Sequence, residues 1–167
     1  MDVDGSIRSG PTGSTKPVRR WLVLTLAGGA AFWLANLVIS LTSSAVTYRS
    51  VLAIQYVPML VEAAVGGLVV AGAVALLLLR FPGRVPGGSV VGKALLLAGC
   101  ALVALTVLIE VPSKLGADLD EPGRWLVVAT AFNTIRVLSL GIAIGLVMRT
   151  QEVRAERHRL ASKERKP

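Results

Sequence analysis

Residues 125–148 read WLVVATAFNTIRVLSLGIAIGLVM, an apolar run long enough to cross a bilayer with an arginine set inside it. Thr130, Asn133, Thr134 and Arg136 form a polar band within the run, and Gly141 and Gly145 follow as a small-residue face. A guanidinium at the centre of a membrane helix costs at least about 2.5–3.5 kcal/mol on the mildest insertion scale, so Arg136 calls for an acceptor inside the protein. The rest of the chain has to supply it.

Three more apolar segments precede this one, at about 21–41, 57–79 and 90–111. With 53% apolar and 17% charged residues and a mean hydropathy of +0.67, the composition lies outside the range of soluble domains. The sequence predicts an all-α integral membrane four-helix bundle: four transmembrane helices in two hairpins over 19–149, between a polar, disordered tail at 1–18 and a basic tail at 150–167. Arg19 and Arg20 ahead of an apolar run also fit the start of a secretory signal. The run from Trp21 to Leu41 exceeds the 7–15 residues of a signal core, however, and matches a span. The second segment is ambiguous at its start, because Val51 to Leu79 would be about 43 Å long as one helix against a hydrocarbon core of about 30 Å. Either residues 51–57 lie at the surface or the helix bends at Pro58. Residues 42–50 read as a short turn, and Pro112 as the end of the third span.

The net charge of +8 is a topology signal rather than a nucleic-acid footprint. All but four of the 18 basic residues fall in the first tail, the middle loop (Arg80, Arg84, Lys93) or the last tail; the exceptions are Arg49, Lys114, Arg124 and Arg136. The positive-inside rule therefore places both termini in the cytoplasm of a multi-pass plasma-membrane protein. Arginine outnumbers lysine among abundant Ala, Val and Gly, which points to a GC-rich bacterial source. The last tail contains good helix formers up to its end, so the fourth helix is expected to continue past Met148, with its basic residues against anionic lipid headgroups or serving as an ordinary anchor. His158, alone among arginines, reads as a solvated tail residue.

Counting from the basic anchors at 1.5 Å per residue places the intramembrane polar residues in one layer. Asn36, Glu62, Thr106, Glu110, Asn133 and Arg136 all fall in the half of the bilayer away from those anchors, with Glu62 about 27 Å from Arg80 and Arg136 about 20 Å from Arg149. Glu62 is the first-choice acceptor for Arg136, with Asn133 one turn away as a further hydrogen-bond partner and Glu110 as a competitor nearer the headgroups. Gly66 and Ala73 share a face with Glu62, and with Gly141 and Gly145 they are the expected helix-packing positions, within the bundle or between copies. The polar layer reads equally as a buried pair that fixes helix order or as a binding site for a small ion, proton or charged solute.

Catalytic chemistry has little support. No HExxH, GxSxG, CxxC or P-loop pattern occurs, Cys100 has no second thiol to pair with, and the acidic run Asp118, Asp120, Glu121 lacks the remaining ligands of a calcium loop. No cofactor or metal is expected. The chain is read as a small accessory or interaction subunit of a membrane assembly, in contact with the lipid bilayer and with a membrane protein partner or its own copies. The alternative is a small transporter or channel-forming homo-oligomer that uses the polar layer.

Overall fold

The computed structural model describes residues 15–116 and 119–164. Of the tail expected to be disordered at 1–18, residues 1–14 lie outside the described residues, as do the side chain of His158 and the place of Asp118 in the acidic loop, while residues 15–18 form the first turn of a helix. The fold is all-α, and four of its helices are long and apolar enough to cross a membrane. The elements in chain order are α1 (Thr15–Ser40), α2 (Ser43–Val51), α3 (Tyr56–Arg80), α4 (Val90–Leu105), a π-helical turn (Thr106–Glu110), α5 (Val111–Leu115) and α6 (Pro122–Glu164).

Local chemistry explains where the elements begin and end. The segment at 42–50, expected as a turn, is the helix α2: Thr42 takes extended backbone angles and its Oγ1 accepts a hydrogen bond from the Ala45 N–H at 3.3 Å, an N-cap. The far end of α2 closes with the Ile54 N–H on the Arg49 carbonyl and the Ala53 N–H on the Ser50 carbonyl, the bonding pattern of a Schellman stop. That pattern sets Ala53 in the left-handed region, at φ 52°, where glycine is the usual occupant. After this stop the chain turns into α3 at Tyr56. Pro58 sits in the first turn of α3, where its missing N–H has no intrahelical role, so no bend is needed there.

Pro112 behaves differently from its expected role as a terminator. The third span runs on through it to Leu115, because the preceding turn opens to π geometry, with the Val111 N–H reaching back to the Thr106 carbonyl. Widening the turn relieves the clash that the proline ring would make with the carbonyl four residues back. The helix thereby carries Glu110 and Lys114 as far as the end of the span instead of losing them to a loop. Ser89 caps the other end of this span by accepting from the Gly92 N–H at 3.0 Å.

Helix α6 is the axis of the bundle. It packs along α1 and α4, α1 in turn packs along α3, and α3 and α4, although joined by the loop at 81–89, touch only lightly. The core between them is built of Leu24, Phe32, Ala71, Val74, Ala75, Leu78, Ala94, Ala98, Val137, Leu140, Ile144 and Met148. It fills the half of the bundle toward the end that carries Arg20, Arg80, Lys93 and Arg149, called here the basic end. That end is tied by Arg20, which donates from Nε to Gln151 Oε1 at 3.0 Å, and by Lys93, whose Nζ donates to the Pro82 carbonyl at 2.7 Å. The outward faces are apolar, with Leu26, Val38, Val69, Val103, Leu108 and Ile142 all exposed, as a lipid environment requires. Only 11% of the third span is buried inside the chain.

The packing glycines are not all the expected ones. Gly141 and Gly145 face α4: a Cβ on Gly141 would stand 2.9 Å from that of Ala98, and one on Gly145 would stand 2.8 Å from the Val91 Cα. In α3 the close approaches fall on Gly67, against the Phe32 ring, and on the buried Gly72, whose carbonyl accepts from Trp21 Nε1 at 3.0 Å. Gly66 has open space beside it and Ala73 is exposed, so the face they share with Glu62 turns away from the core.

Candidate functional site

The end of the bundle opposite the basic end is not filled. Here α2 is held against the start of α6 by Tyr48, whose ring packs edge-on to Phe132 at 5.8 Å and tilted to Trp125 at 6.0 Å. Below α2, where α3 faces the π turn and α5, lies a cavity of about 580 Å³. Among the described residues five charged side chains line it: Arg49 from α2, Glu62 from α3, Glu110 and Lys114 from the third span, and Arg136 from α6.

Three of these charged residues are joined into a chain through Asn133, which stands behind the cavity wall. Asn133 and Arg136 are three residues apart on α6, one turn, and the Arg136 Nη1 donates to Asn133 Oδ1 at 3.0 Å. The other end of the same amide, Asn133 Nδ2, donates to Glu110 Oε1 at 2.8 Å. The second carboxylate oxygen of Glu110 lies 3.6 Å from the Lys114 Nζ, one turn further along α5. The amide can stand only this way round, since its oxygen must face the guanidinium and its N–H the carboxylate. Lys114 is buried and its ammonium lies 5.4 Å from the centroid of the Tyr48 ring, a cation–π contact that ties α2 to the network. Arg49 is spent elsewhere: it donates to the Ser40 carbonyl at 2.9 Å and stacks over Tyr56 at 4.9 Å.

Glu110 thus stands where Glu62 was the first choice. Glu62 lines the same cavity but is exposed, and among the described residues it forms no hydrogen bond and no ion pair within 4 Å. Among the described residues Arg136 Nε is buried without a partner. Among the described residues Asn36, buried to 1% exposure, has neither end of its amide bonded, and the hydroxyl of Thr106, at the start of the π turn, is also buried and unbonded. Of the expected polar layer, then, Glu110, Asn133 and Arg136 are joined, Glu62 shares their cavity, and Asn36 and Thr106 stand outside the bonded chain. Lys114, Tyr48 and Arg49 belong to the site although their sequence positions read as loop residues. The spacing of Glu110 and Lys114, four residues in a helix, is the one signal that could have found the lysine. Among the described residues no three His, Cys, Asp or Glu side chains come together in a metal-binding group.

Compared with protein-family models, curated proteins and solved structures, the chain finds no match. Its reading therefore rests on the geometry of this cavity. A double-mutant cycle tests that geometry directly. The effects of Glu62→Gln and Arg136→Gln on unfolding free energy are expected to add within about 0.5 kcal/mol, as for groups without a shared bond. The cycle on Glu110→Gln and Asn133→Leu is expected to show a coupling of about 1 kcal/mol or more, in the range of contacting polar pairs. A large coupling in the first cycle with none in the second would reverse the assignment.

Proposed function

We propose that this chain is a multi-pass plasma-membrane protein of bacterial type, with both termini cytoplasmic, which serves as an accessory subunit of a membrane assembly and binds a small anionic group in its outward-opening cavity. The orientation follows from the basic residues gathered at one end, which the positive-inside rule puts in the cytoplasm. The cavity then opens to the outside. Past Arg149, α6 continues as a helix to Glu164, so Arg149 and Arg154 lie at the height of the inner headgroups and meet anionic lipids there.

The observation that carries the binding reading is the state of Arg136. A guanidinium placed only to fix helix order would be closed by a carboxylate, since leaving it open costs several kcal/mol. Among the described residues its one bond goes to a neutral amide and its Nε is unbonded, and it lines a cavity with room for a ligand. Binding without conduction is favoured because the core beneath the cavity, from Leu24 to Met148, is filled by packed side chains. The uncovered third span offers a face to a partner subunit.

The test is a titration of the purified protein in nanodiscs with acetate and with phosphate, read by tryptophan fluorescence, since Trp125 packs on Tyr48 at the cavity wall. A saturable response is expected in the wild type and in Arg136→Lys, with Arg136→Gln losing it. The same response in all three would remove Arg136 from the site. Proteoliposomes loaded with the same anions are expected to show no flux above empty vesicles; measurable flux abolished by Arg136→Gln would replace the accessory reading with a transporter.

A further inference from the structure

Resting on the binding reading above, we propose that the cavity is built for a small zwitterion, with its anionic oxygens on Arg136 and its ammonium group on Glu62. The argument is one of elimination among the five charges at the wall. Glu110 is engaged by Asn133 at 2.8 Å and Lys114 at 3.6 Å. Lys114 is covered by that carboxylate and the Tyr48 ring, and Arg49 is bonded to the Ser40 carbonyl and stacked on Tyr56. Among the described residues two opposite charges remain without a charged partner within 4 Å, Arg136 and Glu62, and they face one cavity.

No ion pair joins the two, so their charged atoms stand more than 4 Å apart, and that gap gives the pair a use. A volume of 580 Å³ corresponds to a sphere about 10 Å across, room for a short molecule with a charge at each end. A simple anion bound on Arg136 would leave the Glu62 carboxylate opposing it, and a simple cation on Glu62 would leave Arg136 opposing it. A molecule with both charges satisfies both groups and cancels each repulsion. Apolar wall groups from Met59, Ile109 and Phe132 suit the methylene chain between the two ends. Both a free amino acid and an ethanolamine-type lipid headgroup carry this chemistry: anionic oxygens and an ammonium a few bonds apart.

The experiment measures affinity in nanodiscs for acetate and methylammonium, each with one charge, and for glycine, β-alanine, 4-aminobutyrate and 6-aminohexanoate, across which the distance between the two charges grows while the charges stay the same. The best member of the amino acid series is expected to bind at least about tenfold tighter than acetate or methylammonium, and Glu62→Gln to bring it down to the affinity of acetate. Glu62 is exposed and bonded to nothing among the described residues, so this variant is expected to fold. If acetate binds in an Arg136-dependent way while the ammonium group adds nothing and Glu62→Gln has no effect, the zwitterion proposal is overturned and the anion site stands. If neither acetate nor any amino acid binds the wild type, both readings fall. Repeating the series in nanodiscs with and without phosphatidylethanolamine identifies the source. Weaker amino acid binding when that lipid is present, in the wild type and not in Glu62→Gln, identifies the headgroup as the occupant; no dependence on the lipid identifies a soluble zwitterion.

Discussion

Asn133→Leu is expected to lower the unfolding free energy by about 3 kcal/mol, the larger part of it through the charges the asparagine leaves behind. The amide makes two hydrogen bonds, each to a charged group, and such bonds are worth roughly 1.5–3 kcal/mol apiece. The cavity is open to water, which pulls both toward the low end of that range. Leucine keeps the branching and heavy-atom count of the side chain, so the main change is polar: Glu110 keeps only Lys114, and Arg136 keeps no bonded partner on its own helix. Unfolding in a single detergent, followed by the loss of helical signal, measures the change. Adding Glu110→Gln to Asn133→Leu is expected to cost less than Glu110→Gln costs alone, because the bond between the two side chains is already gone, although Lys114 still loses its counter-ion. A loss under about 1 kcal/mol for the single variant would mean that the amide is no bridge, and the polar chain would lose its centre.

The all-α class and the four spans were readable because the apolar runs are long and are bounded by basic residues and prolines. The contact between Asn133 and Arg136 was equally readable, since three residues along a helix is one turn. The choice between Glu62 and Glu110 was not, for two physical reasons. Heights along the bilayer say nothing of the order of helices around the bundle, and it is α4, not α3, that packs closely along α6. The π turn then keeps the third span helical past Pro112, so the side chain of Glu110, counted at the edge of the membrane, reaches inward to Asn133. Helix α2 was hidden for a different reason: a nine-residue helix with few apolar residues has no periodicity to distinguish it from a turn, and its stability comes from the Thr42 cap and from Tyr48 packing on Phe132 and Trp125. Adjacent glycines pose the same problem on a smaller scale. Gly66 and Gly67 lie 100° apart around α3, and nothing local tells which of them meets Phe32.

Gly145 carries the second large effect. Gly145→Ala is expected to destabilise by about 2 kcal/mol and Gly145→Val by at least about 3, as overpacking of a close helix contact does. The missing Cβ would lie 2.8 Å from the Val91 Cα and 3.2 Å from its Cβ and Cγ2. A rotamer change can move the methyl group of Val91, but its Cα is backbone, so relief requires α4 and α6 to separate along the seam they share. In a membrane this loss has little compensation, because lipid tails solvate an apolar helix as well as another helix does and association rests on close packing. Gly66→Ala is the matched control: the space beside Gly66 is open, so the gain in helix propensity, up to about 1 kcal/mol, has nothing to oppose it. The pair also bears on how copies of the chain could meet. Gly141 and Gly145 are already covered by α4, so if the chain forms homo-oligomers, Gly145→Val is expected to unfold the protomer rather than release intact monomers, whereas an exposed contact face would yield folded monomers in a sedimentation experiment. Folded monomers from Gly145→Val would place this face between chains and overturn the seam with α4.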